Sequence, residues 1–180
     1  LVGSEMCIRD SSMSGAMKKA LENLEEIVPA GADGSYYQGQ KLAEKRCQEV
    51  AAFPGIDTLH KLYAVLRKTW TAETAYPSCQ AEWVSTDPSY GQCAITAMLV
   101  YDMFGGSIHR IRVNGGGTHY FNKIDGCYVD LTREQFDLYD ISIVYEPNEQ
   151  MKREYCGKNP DTKGRYHQLQ KNIIRYLKIE

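Results

Sequence analysis

Cys93 stands at the head of an apolar run, in Ser89-Tyr90-Gly91-Gln92-Cys93-Ala94, and His119 and Asp130 follow it in the chain order of a thiol acyl-transfer triad. A thiol acts as a nucleophile near neutral pH when its pKa is lowered, a base lies within reach and a third group orients that base. Gly91 lets the backbone turn tightly into a helix, and a helix N-terminus supplies partial positive charge and unpaired N–H groups for a thiolate and then an oxyanion. Gln92, beside the thiol, is a further candidate as a side chain able to polarise a carbonyl; an ordinary surface place is its plain alternative. The other three residue types also have plain uses. Buried free cysteine is a common small core residue, a strand histidine is often a satisfied structural group, and Asp130 also suits the entry to a capped helix.

The surrounding pattern must position these groups. Residues 92–104 are apolar nearly all round and stop at Gly105-Gly106, which predicts a largely buried helix. The hydrophobic period then falls from about 3.6 to about 2. Residues 108–113 alternate as a strand, Gly115-Gly116-Gly117 turns, and strands 118–124 and 127–131 flank Asp125-Gly126, a preferred two-residue hairpin dipeptide. That loop pairs Ile124 with Cys127, Asn122 with Val129 and Tyr120 with Leu131, on a mostly apolar face that should meet the core. His119, Phe121 and Lys123 then lie across from Thr132, Asp130 and Tyr128 on the opposite face. His119 and Asp130 become diagonal neighbours roughly 7–8 Å apart between backbones. A bulge or an odd loop would put them on opposite faces.

Helical patterns precede this at 16–27, 38–52 and 58–70, punctuated by Pro29-Ala30-Gly31 and Pro54-Gly55. Residues 70–90, rich in Thr, Ser, Pro and Asp, read as an irregular surface connection of the kind that lines a site, with Trp83 placed either over the site or in the core. Downstream, 132–135 matches a capping box, 141–145 reads as a strand, 147–164 as polar and irregular, and 165–177 as a helix. The expected fold class is α+β: N-terminal helices and a Cys-bearing helix packed on an antiparallel sheet.

Composition narrows the function. Residues 1–11 read as the in-frame translation of a sequencing adapter and are set aside, with a natural start expected at Met13 or Met17 and an upstream segment left open. Without Glu5, Cys7, Arg9 and Asp10 the chain has 20 basic and 21 acidic residues and five cysteines. A charge near zero gives no reason to expect nucleic acid or an anionic membrane as partner. No apolar run approaches the roughly 20 residues of a membrane-spanning helix. Five irregularly spaced cysteines argue against a disulfide framework, so reduced thiols and a cytoplasmic location are expected. Cys79, Cys127, Cys156, His109 and His167 lack the close pairs of a zinc site, and the glycine triplet leads into no helix that would make it a phosphate loop, so no metal or cofactor is expected. The length suits one domain, divided into a helical extension over 12–57 and an α+β unit over 58–180.

Trp70-Thr71-Ala72-Glu73-Thr74-Ala75, residues 87–93, Gly105-Gly106, His119-Tyr120-Phe121-Asn122 and the run from Asp130 to Phe136 resemble the bacterial YunG-like family over about residues 60–180. Separately, Tyr90-Gly91-Gln92-Cys93 is similar to the nucleophile motif of transglutaminases, whose fold belongs with the papain-like thiol enzymes. That likeness implies a Cys-bearing helix against a sheet that supplies His and then Asp. Ala94 replaces the Trp that follows the cysteine in such enzymes, and the interval from Cys93 to His119 is shorter than theirs. The expectation is thiol-dependent acyl transfer or hydrolysis on an amide or peptide substrate by Cys93, His119 and Asp130, with Gln92 assisting. Water as acceptor makes a peptidase or deamidase; an amine makes a crosslinker. The alternative is a catalytically silent binding or regulatory domain of the same architecture, and a third reading, metal-dependent hydrolysis, requires stoichiometric metal.

Overall fold

The computed structural model describes residues 13–48, 53–115 and 117–178, so the 1–11 segment and Gly116 lie outside it. Helix α1, Gly15–Glu25, is capped by Ser14, whose Oγ accepts the Met17 N–H at 3.2 Å. Helix α2, Leu59–Thr69, is capped in the same way by Thr58 through Lys61 N–H. Helix α3, Cys93–Phe104, buries most of its length and ends at Gly105, which takes a φ of 77°. Four strands follow: β1 Ser107–Arg112, β2 Thr118–Ile124, β3 Cys127–Val129 and β4 Glu149–Met151, all antiparallel in the order β3-β2-β1-β4. Short helices α4, Glu134–Asp137, and α5, Arg153–Cys156, lie between β3 and the long α6, Pro160–Lys178. Helix α3 packs on β2 and on α6, and α6 also meets α2 and α1. The chain is therefore α+β, with helices packed on a four-stranded antiparallel sheet.

Leu62, Leu66, Ile95, Met98, Leu99, Ile108, Ile124 and Leu169 form the centre of one core, each worth about 1.5–3 kcal/mol of burial. Met17, Leu24 and Tyr37 from the segment before Thr58 belong to the same core. Two buried polar bonds fix α3 within it. Trp70 Nε1 donates to Thr96 Oγ1 at 3.0 Å, and Asn122 Nδ2 donates to the Ala97 carbonyl at 2.9 Å.

The hairpin adopts the expected register, with Ile124 opposite Cys127 and Asn122 opposite Val129. Asp125 and Gly126 both take positive φ, 50° and 76°, as the tight turn demands. The Tyr120–Leu131 pair does not form. Strand β3 stops at Val129, and the Asp130 backbone pairs instead with Gln38, donating to its carbonyl at 3.0 Å and accepting its N–H at 3.3 Å. The outer edge of β2 is thus left without a β3 partner from Thr118 to Phe121.

Four further expectations change. The helix expected over 38–52 is only a 3-10 turn, Gln40–Leu42, because Gly39 enters it at φ 91° and the later donors go to distant carbonyls: Cys47 N–H to Asp57 and Gln48 N–H to Met103. Residues 49–52 of that pattern lie outside the described ones. The strand expected over 141–145 is absent; Asp140 turns at φ 55° and the chain crosses the sheet face, while β4 forms in the segment read as irregular. Helix α6 begins five residues earlier than its apolar pattern, at Pro160 after Asn159, whose Oδ1 accepts the Asp161 N–H at 2.8 Å. The expected capping box also fails: Thr132 spends its hydroxyl on Asp130, and Ser89 Oγ accepts the Gln135 N–H of α4 at 3.1 Å.

Thr96→Val keeps side-chain volume but strands the buried Trp70 N–H, so urea unfolding should show a loss of about 1–3 kcal/mol. Gly91 turns into α3 at φ 74°, where a Cβ would meet Cys79 Cβ at 2.8 Å and Ala75 Cβ at 3.2 Å. Gly91→Ala should therefore cost more than about 1 kcal/mol in the same measurement, through left-handed strain plus the clash.

Candidate active site

Cys93 is the first residue of α3, half-buried, and its N-cap Gln92 makes no side-chain capping bond to the first turn. Its Sγ lies 4.0 Å from the Thr118 carbonyl, on the edge of β2 that β3 has left. Backbone groups along a strand point alternately to its two edges. Thr118 and Tyr120 therefore offer their C=O and N–H to the thiol side, where the Tyr120 N–H favours the ionised thiol. Had β3 continued to Leu131, it would have occupied this space.

His119 sits one residue along, with its ring on the face away from α3. Phe136 meets it edge-on, with ring centroids 4.8 Å apart, and Phe121 lies beyond. Its Nε2 is 2.6 Å from Asp130 Oδ2, and each residue is only 1% exposed. Asp130 is fully committed as an acceptor. Oδ1 takes the Thr132 N–H and hydroxyl, both at 3.1 Å, and Oδ2 takes the Tyr145 hydroxyl at 2.9 Å as well as His119. An ionised carboxylate only accepts, so Nε2 carries a proton. Nδ1 is buried and makes no formed hydrogen bond among the described residues, which leaves it as the nitrogen for the thiol.

The electrostatics agree with that arrangement. Burial pushes the Cys93 thiol up, but the adjacent His119 ring, its charge and the Tyr120 N–H more than offset this and bring the thiol below its ordinary range. Burial alone would lower His119; the Asp130 charge and hydrogen bond outweigh it, and with the thiol they raise the imidazole to about 10. Burial likewise pushes Asp130 up, while the His119 charge and hydrogen bond hold it below the usual carboxylate range. The two shifts, thiol down and imidazole up, run in the directions that favour a thiolate beside an imidazolium.

Gln92 does not take the surface place that was its plain alternative. It is fully buried rather than on the surface, its Oε1 accepts the Thr74 hydroxyl at 2.9 Å, and its Nε2 donates to the Thr71 carbonyl at 2.9 Å. Both ends of the amide hold the 71–74 turn against the start of α3. Trp83 is half-buried and staples its own loop, Nε1 donating to the Pro88 carbonyl at 3.1 Å. Sequence reasoning missed Tyr145 and the Tyr120 N–H. The first sat inside a segment taken for a strand; the second was within reach, since the hairpin parity already turned Tyr120 towards β3.

Among the described residues, no cluster of three or more His, Cys, Asp or Glu side chains is arranged to hold a metal ion, and no helix is long and apolar enough to cross a membrane. The family described as YunG protein matches residues 58–178, a span that includes Gln92, Cys93, His119, Asp130 and Tyr145. The protein of Bacillus subtilis (strain 168) named "Uncharacterized protein YunG" is 36% identical over 72 residues, covering 40% of this chain. The chain spans 57% of that relative's length. No solved structure matches, and neither match carries the transglutaminase or papain likeness. With about two thirds of its length inside the family match, the chain belongs to the YunG family.

Proposed function

We propose that this chain is a thiol-dependent acyl-transfer or hydrolytic enzyme acting on an amide or peptide, built on a papain- or transglutaminase-like frame. The observation that carries this reading is the 2.6 Å bond between His119 Nε2 and Asp130 Oδ2, which leaves Nδ1 to the half-buried Cys93. The thiolate attacks the substrate carbonyl carbon, and N–H groups at the start of α3 receive the oxyanion. As the C–N bond breaks, the imidazolium gives its Nδ1 proton to the departing amine, leaving a thioester on Cys93. Water or a second amine then attacks that thioester, passes a proton back to Nδ1, and releases an acid or a new amide with the thiolate restored. Asp130 stays ionised throughout and fixes the ring. In this reading Gln92 supports the loop before the nucleophile and leaves the oxyanion to backbone donors. A silent binding domain has no use for a lowered thiol, so the coupled pair favours catalysis.

A screen of peptide amides for amine release tests this. Cys93→Ala should abolish turnover, and Asp130→Asn should lower kcat by roughly 10²–10⁴-fold. With the thiol lowered and the imidazole raised, kcat/KM should climb with pH through a limb below about 8.5 and fall only when the imidazolium is lost above it. Turnover that survives in Cys93→Ala would overturn the assignment.

A further inference from the structure

Tyr145 has no step in the reaction above, yet its hydroxyl is bonded to the reaction's carboxylate. Asp130 Oδ2 is shared between two donors, His119 Nε2 at 2.6 Å and Tyr145 Oη at 2.9 Å. The stretch from residue 141 to 148 that carries Tyr145 forms neither helix nor strand, so side-chain contacts decide where the hydroxyl sits. Its ring stacks on Tyr128, with centroids 5.5 Å apart and planes at 23°, and meets Phe121 edge-on at 4.8 Å. Asn148 pins the backbone. Its Nδ2 donates to the Tyr145 carbonyl at 2.9 Å and to the Tyr128 hydroxyl at 3.1 Å. Its Oδ1, an acceptor only, takes the proton on His109 Nδ1 at 2.8 Å, and His109 Nε2 faces the Ser107 hydroxyl at 2.7 Å. A chain of bonds from β1 thus holds the hydroxyl over Asp130.

We propose that Tyr145 is a positioning residue that limits how tightly Asp130 holds the imidazolium of His119, so that the ring can both stabilise the thiolate and release its proton to a leaving group. The proposal deepens the thiol reading above and rests on it. A carboxylate oxygen that serves two donors stabilises each less than it would stabilise one. Without the hydroxyl, Oδ2 serves His119 alone, and the imidazolium becomes a weaker acid. The Thr132 bonds to Oδ1 hold the carboxylate in place either way, so the effect of the hydroxyl is electrostatic rather than steric.

Tyr145→Phe removes the hydroxyl and keeps the ring that packs on Phe121 and Tyr128. The His119 ring would be followed by NMR against pH in Cys93→Ala protein, with and without Tyr145→Phe. The His119 midpoint should rise by on the order of one pH unit in the double variant. A midpoint that stays put or falls overturns the proposal. Asn148→Ala, which loosens the segment but keeps the hydroxyl, should move the midpoint the same way by less; a shift as large as that of Tyr145→Phe would assign the effect to packing and also overturn it. Iodoacetamide labelling of the Cys93-containing protein separates the two readings. An unreactive Cys93 with a shifted His119 midpoint sinks the enzyme and leaves the control of His119 by Tyr145 standing; a reactive Cys93 with an unmoved midpoint does the reverse.

Discussion

An imidazole and a carboxylate, each 1% exposed, share a 2.6 Å bond beneath the face of the sheet, and the rest of the site depends on keeping them there. Burying an ionised carboxylate costs several kcal/mol unless its lone pairs are used and an opposite charge lies close. Asp130 meets both conditions through Thr132, Tyr145 and His119. They converge on it where β3 ends at Val129 and Gln38 takes over the backbone pairing of Asp130. The same early ending opens the edge of β2, where the start of α3 delivers Cys93 to the Thr118 carbonyl and the Tyr120 N–H. The shortened strand thus leaves room at the sheet edge for the Cys93 thiol.

This pairing also links the site to the stability of the fold. Asp130 is held below its ordinary range, so its contribution is present above about pH 3.9 and is lost as pH falls through its lower folded value. His119 is raised, so its contribution is complete below about pH 6.5 and disappears as pH climbs through about 10. Between those limits the charged pair helps hold the hairpin to the segment that covers it. The aromatic layer of Phe121, Tyr128, Phe136 and Tyr145 on that face keeps water from competing for the same bonds.

How much of this was legible in the sequence depended on whether the signal was local. The hairpin was readable because Asp125-Gly126 fixes a two-residue turn, and parity alone then put His119 and Asp130 on one face. Helix α3 was readable from its unbroken apolar run and the glycines at its end. The 38–52 helix misled because the pattern of charges there resembles a helix face, while tertiary partners at Asp57 and Met103 claim its backbone donors. Tyr145 was hidden because nothing within 141–148 shows that its hydroxyl reaches a carboxylate 15 residues back. The partners of Gln92 were hidden for a related reason: Thr71 and Thr74 lie in an irregular loop whose path no periodicity records. The start of α6 at Asn159-Pro160 was not read, because the polar residues after it masked the helix.

The central claim is that Cys93 and His119 form one coupled acid–base unit. Its most direct test is the rate of Cys93 alkylation by iodoacetamide against pH, located by mass spectrometry, in the unaltered protein and in His119→Ala. The account predicts a midpoint well below the ordinary thiol value of about 8.5 that returns towards it when His119 is removed. A midpoint at the ordinary value in both proteins would contradict it.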